Sequence, residues 1–202
     1  MKFILGKKLG MSEMFLEDGK SIGVTVVEVG PCVVTQVRDA EKDGYHAVQI
    51  GFGTRKNLSK AVKGHLKELG SFAILKEFRP KNNEVLSMDV GDKIDASIFE
   101  AGEKVAVSSI TKGRGFQGVV KRHKFRGGSR THGQKHSERE PGSIGSVWPQ
   151  RVVKGKRMAG RMGGDKVTLR GIKIMKIDIE NNIVALKGAI PGKRGGLLEI
   201  KA

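Results

Sequence analysis

Residues 166–190 read KVTLRGIKIMKIDIENNIVALKGAI. Two runs rich in Val, Ile and Leu lie on either side of Asn181 and Asn182. That pattern predicts two strands, KVTLRGIKIMKIDIE (166–180) and NIVALKGAI (182–190), turned at the asparagine pair as a hairpin. A last strand is expected in GLLEIK (196–201), and upstream EKVAVSSI (103–110) is strand-like as well. Between residue 110 and this hairpin the apolar alternation stops. The chain leaves one strand and enters another with about 56 residues of different character in between.

Toward the N-terminus the strand signals resume. SIGVTVVEVG (21–30), CVVTQVR (32–38), YHAVQIGF (45–52) and FAILKEF (72–78) are short, rich in β-branched residues and bounded by Gly, Pro and Asp. SKAVKGHLKELG (59–70) fits one short helix opened by Ser59 and closed by Gly70. Many short strands at close spacing predict a small barrel. The expected fold is mostly β: a β-barrel body from residues 1–110 and 167–202, one short helix, and a long inserted extension over 111–166.

The insertion differs in charge. The chain of 202 residues has 38 Lys and Arg against 21 Asp and Glu, a net charge of +17. Residues 111–166 hold 15 of those cations and three of the acids, with 12 of the 29 glycines and three of the five histidines. Such an excess calls for a polyanionic partner, nucleic acid before an acidic membrane surface. Structureless connections beyond about 12–15 residues are uncommon in compact domains. Fixing each residue's backbone costs on the order of 1–2 kcal/mol. With Phe116, Phe125 and Trp148 as its aromatics, the insertion cannot offset that by burying itself. Something outside the protein is expected to order it.

Other chemistries fit poorly. Cys32 is the one cysteine, so an internal disulfide framework and a cysteine-rich zinc site are excluded, and its apolar run CVVTQV points to a buried structural thiol. The opening MKFILGKKLG is too short in its apolar part for a signal h-region. No run approaches the ~20 residues of a membrane helix, so a cytosolic protein that keeps its N-terminus is expected. GRGFQG (113–118) is a G-x-G-x-x-G, but VVKRHKFRGG after it is too short and basic for a dinucleotide fold, and no kinase motifs follow. His132 and His136 stand four apart without a carboxylate between them or a nearby thiol, with Gly133 against a helix, so no metal is expected. Glu138 and Glu140 read as partners of Arg139 and neighbouring cations. A basic, glycine-rich coil with sparse aromatics suits folded RNA: cations meet phosphates, glycines enter narrow grooves, and aromatic or imidazole rings stack on bases. A disordered solvated loop and a sequence-independent DNA binder would share this composition.

Specific strings narrow the choice. GKKLGMSEMFLEDGKSIGVTVVEVGPCVVTQVR at the start, TKGRGFQGVVKRHKFRGG followed by THG, then PGSIG, KGKRMAGRMGGDKVT and VKGAIPG resemble, in family order over nearly the whole chain, the bacterial form of large-ribosomal-subunit protein three, the universal L-three family. The resemblance implies a translation-protein-type β-barrel on the outside of the large subunit, with an extension that threads rRNA toward the peptidyl transferase centre. It implies early rRNA binding, nucleation of assembly and support of the catalytic rRNA, with neighbours from the L-fourteen and L-nineteen families. No enzyme activity, cofactor, membrane or small-molecule substrate is implied, and the location is cytoplasmic, in the ribosome.

The resemblance also distributes the rRNA-binding residues. Lys112, Arg114, Lys121, Arg122, Lys124 and Arg126 match the basic entry to the extension. Arg130, His132, Gln134, His136 and Arg139 lie on its outgoing arm, and Lys154, Lys156, Arg157 and Arg161 on its return. At the tip, SVWPQRVVKG is one residue shorter than the threonine-proline-glycine pattern of many bacterial members, and Trp148 rather than Gln150 aligns nearest their methylated glutamine. Trp-Pro followed by Arg151 and Val152 resembles the archaeal and eukaryotic tip, which makes Trp148 the expected innermost contact. A nucleotide-dependent enzyme using 113–118 and a DNA-compacting protein remain as alternatives.

Overall fold

The computed structural model describes residues 2–80 and 88–202. In chain order it has β1 (Phe3–Phe15), β2 (Ser21–Val29), β3 (Cys32–Arg38), α1 (Ala40–Asp43), β4 (Ala47–Thr54), α2 (Lys60–Leu66), β5 (Phe72–Phe78) and β6 (Lys93–Ile94). A 3-10 turn at Ala96–Ile98 leads to β7 (Lys104–Ile110), β8 (Gly115–Gln117) and α3 (Val119–His123). The chain ends with β9 (Gly160–Met162), β10 (Lys166–Asp178), β11 (Ile183–Lys187) and β12 (Leu197–Lys201). It divides into two compact units, Met1–Ile110 with Lys166–Ala202, and Thr111–Asp165.

In the first unit six strands close a barrel in the order β1-β12-β7-β10-β11-β2. Closure leaves no unpaired sheet edge, which is why an antiparallel sheet of this size is stable without another layer on every side. A four-stranded sheet, β5-β4-β3-β6, accompanies it. Phe3, Ile4 and Leu5 are all fully buried although successive strand side chains point to opposite faces, so β1 is covered on both sides there. Phe3 stacks on Phe78 of β5 with ring centroids 4.4 Å apart, joining barrel and sheet in one core with Val27, Val34, Ile50, Val107, Ile174, Leu198 and Ile200.

The expected strands are present, with ends moved by a few residues where the turns demand it. The predicted hairpin forms between β10 and β11: Asp178 pairs with Ile183, and Asn182 takes a left-handed φ of 53°. The Asp178 carboxylate accepts from the Asn181 backbone N–H at 3.2 Å and from its side-chain amide at 2.8 Å. In α2, Ser59 Oγ accepts from the Val62 N–H, as an N-cap should. The helix stops at Leu66 rather than running toward Gly70, because Lys67 turns to φ 49°.

β1 departs from the sequence reading. Its 13 residues carry no clean strand signal because Gly6, Gly10 and two lysines interrupt the apolar run. Gly6 is required by packing: a Cβ there would lie 2.8 Å from the Glu28 carbonyl oxygen of β2. Cys32 is fully buried, its Sγ donating toward the Leu5 carbonyl at 3.7 Å, and burial pushes its thiol pKa up to about 11. That is a structural thiol, not a nucleophile.

The body also fixes where the insertion starts and ends. β7 and β10 are antiparallel neighbours, and Ile110 and Lys166 are direct partners in their ladder. Lys166 is further held by Glu199 of β12 at 2.6 Å.

Candidate nucleic-acid interface

Residues Thr111–Asp165 are ordered first by their own ends. The Thr111 N–H donates to the Asp165 carbonyl at 2.9 Å, and the Asp165 N–H donates to Thr111 Oγ1 at 3.2 Å. Arg114 N–H then donates to the Met162 carbonyl at 2.8 Å, and β8 and β9 pair as a two-stranded ribbon, Gly115 with Met162, Phe116 with Arg161 and Gln117 with Gly160. The sequence predicts coil at this point. Each strand of the ribbon is only three residues long, and Gln117 and Gly160 are separated by most of the insertion, so no local pattern announces them.

G-x-G-x-x-G at 113–118 builds this ribbon and the start of α3. Gly118 takes the N-cap position and the five-residue helix ends where Lys124 turns left-handed at φ 59°. A short antiparallel ribbon followed by one helical turn lacks the parallel βαβ unit that a dinucleotide fold requires. Arg122 of α3 donates to the Met158 carbonyl at 2.7 Å, and the His123 ring stands 3.1 Å from the same oxygen. Arg122, read from sequence as an RNA contact, thus ties the helix to the returning chain just before β9.

The outgoing arm folds back on itself. Gly128 N–H donates to the Glu138 carbonyl at 2.9 Å, and Arg130 Nε meets Glu138 Oε1 at 2.7 Å. The partner of Glu138 is therefore Arg130, eight residues away, rather than the adjacent Arg139. The Gln134 amide packs against Gly128. His132 sits in a left-handed turn at φ 58°, so it and His136 do not share a helix face. No group of three or more His, Cys, Asp or Glu side chains converges among the described residues.

At the tip Val147 and Trp148 are 85% and 80% exposed, the inverse of a core tryptophan. Arg151, Lys154, Lys156 and Arg157 follow, all exposed. On the ribbon, Phe116 is 76% exposed beside Arg161 and close in sequence to Lys112 and Arg114. The sequence does not single out Phe116 as a contact, because nothing in GRGFQG tells an outward ring from an inward one. Lys121, Lys124, Arg126 and Arg139 also have no carboxylate within ion-pair distance among the described residues; in this unit only Arg130 has one. These uncompensated cations, with the Phe116 and Trp148 rings exposed among them, give the unit the surface chemistry that suits phosphates and unstacked bases.

Comparison with known proteins places the chain in a family. The family model for ribosomal protein L3 matches residues 88–181. The large ribosomal subunit protein uL3 of Dehalococcoides mccartyi (strain ATCC BAA-2266 / KCTC 15142 / 195) is 49% identical over 199 residues, covering 98% of this chain and 96% of its own. Its namesake from Herpetosiphon aurantiacus is 50% identical over 201 residues, covering 98% and 94%. That of Synechococcus sp. (strain CC9902) is 51% identical over 203 residues, covering 98% and 92%.

Proposed function

The chain belongs to the ribosomal protein L3 family, and on that premise we propose that it is a structural, non-enzymatic component of the large ribosomal subunit that binds large-subunit rRNA through residues 111–166. The body, residues 1–110 and 167–202, is the anchor. The extension reaches into the rRNA, supports the region around the peptidyl transferase centre, and joins the rRNA early enough to nucleate assembly. Trp148 makes the innermost contact. Proteins of the L-fourteen and L-nineteen families are the neighbours, and the site of action is the cytoplasmic ribosome.

The observation that carries this reading is the unpaired charge of the extension. A unit in which, among the described residues, one cation meets a carboxylate and most of the others face solvent is built for an external polyanion. The entry residues Lys112, Arg114, Lys121, Lys124 and Arg126, the outgoing His132, His136 and Arg139, and the returning Lys154, Lys156, Arg157 and Arg161 serve as phosphate and base contacts. Arg122 and Arg130 serve as much to shape the arm as to touch RNA.

A salt series tests it. The full chain and a version lacking 112–165 are titrated against a large-subunit rRNA fragment, with duplex DNA as competitor. Removing one phosphate interaction flattens the slope of log affinity against log salt by about 0.7–0.9. Flattening by several of these steps, with rRNA outcompeting DNA, is expected. Equal competition by DNA would leave a nonspecific nucleic-acid binder instead.

A further inference from the structure

Within the extension, residues 125–142 line an open hollow of about 650 Å³ whose wall includes Phe125, Arg126, Gln134, Glu140 and Pro141. That volume lies in the range of about 300–1,000 Å³ typical of small-ligand sites. The hollow's shape is set internally. Glu138 clamps the loop through the Gly128 N–H and Arg130. A side chain on Gly127 would run into the Glu138 carbonyl oxygen, and one on Gly128 into the Gln134 amide.

The anomaly in this wall is Glu140. The extension carries three carboxylates among 15 cations, and Arg130 meets Glu138. Glu140 has no cation within ion-pair distance among the described residues. On a surface made for phosphates a bare carboxylate is repulsive. It becomes favourable only against paired hydrogen-bond donors, and in RNA those belong to base edges. Guanine alone presents two adjacent donors, N1–H and the N2 amino group, spaced to meet both oxygens of a carboxylate. Phe125 and Arg126 line the same wall, one with a ring that can stack on a base and the other with a cation that can meet a phosphate.

We infer that this hollow takes up one unstacked guanine of RNA, with Glu140 accepting from N1–H and N2–H and Phe125 stacking on the ring. The inference rests on the RNA-binding reading above and names the ligand of one part of that surface. It adds hydrogen-bonded base readout to an arm whose cations meet the phosphate backbone.

The test uses the full chain, the heptanucleotides UUUGUUU, UUUAUUU and UUUIUUU (I, inosine), and the large-subunit rRNA fragment as a parallel ligand, all by fluorescence anisotropy at low salt. Guanine should bind on the order of tenfold more tightly than adenine, as a bidentate base contact does. Inosine, which keeps N1–H but lacks the N2 amino group, should fall between them. Glu140→Gln should bring guanine and adenine together while leaving the salt slope for the rRNA fragment unchanged. If the wild-type chain binds the fragment yet does not prefer guanine, or if E140Q keeps the preference, the pocket is overturned and the RNA-binding reading stands. If the fragment is not bound, that reading falls and the pocket with it.

Discussion

Gly163 lies directly over the Lys112 carbonyl oxygen, so close that a side chain at residue 163 would occupy the same space. Its φ of 77° is also in the left-handed region. Both facts bear on the base of the extension, where the β8–β9 ribbon begins. Gly163→Ala should therefore loosen the ribbon by roughly 1–3 kcal/mol of local stability. Amide exchange at Arg114, which donates to Met162, should accelerate while exchange in β2 and β11 stays as it was. Unchanged protection at Arg114 would mean that the ribbon tolerates the side chain.

Cys32 predicts how the body responds to alkali. Its thiol is raised from 9.0 to about 11 by burial. Below about pH 9 the group is protonated in both folded and unfolded chains and contributes its full share to stability. Between about pH 9 and 11 the unfolded chain ionises first, so stability falls with rising pH, by about 3 kcal/mol in total for a shift of this size. The urea midpoint of wild type should drop more steeply than that of Cys32→Ala over that interval. Parallel curves would show that the thiol is reached by solvent.

Proteolysis separates the two units. The return path is exposed coil rich in trypsin sites, including Lys154, Lys156 and Arg157, whereas the six barrel strands each have a partner on both sides. Brief trypsin treatment of the RNA-free chain should cut within 111–166 and leave the body as two associated fragments. Equal resistance in both parts would contradict an arm that depends on RNA for its order.

Trp148 should matter to RNA and not to the fold. At 80% exposure its replacement by Ala removes little packing, and stability should change by no more than a surface substitution does, within about 0.5 kcal/mol. A ring stacked on a base contributes about 1–3 kcal/mol. Affinity for an rRNA fragment from the peptidyl transferase region should accordingly fall by about fivefold or more. A drop in Tm with affinity intact would place the ring in a protein contact.

The body is legible in sequence because its strands advertise themselves locally. FAILKEF at 72–78 coincides with β5, and the asparagine turn with the β10–β11 hairpin. β1 is not, since its glycines break the apolar alternation that marks a strand, and Gly6 is there for interstrand clearance. The extension is legible as charge but not as shape. Ribbon pairing of Phe116 with Arg161 and the reach of Arg130 to Glu138 depend on chain reversal, which neither charge nor periodicity encodes. Lys112 and Arg157 can be proposed from residue type alone; the internal duty of Arg122 cannot.

Ile110 and Lys166 face each other in the β7–β10 ladder, so the barrel sees the entire arm as if it were a hairpin turn. The register of the body is set by the strands and is indifferent to what is spliced between these two positions. Closing a longer loop adds only about 0.6 kcal/mol for each doubling of its length. The arm can thus be lengthened, trimmed or re-tipped in evolution, and in the laboratory exchanged between relatives, while the barrel keeps its strand pairing. Selection on the tip and selection on the core act on separable parts of one gene.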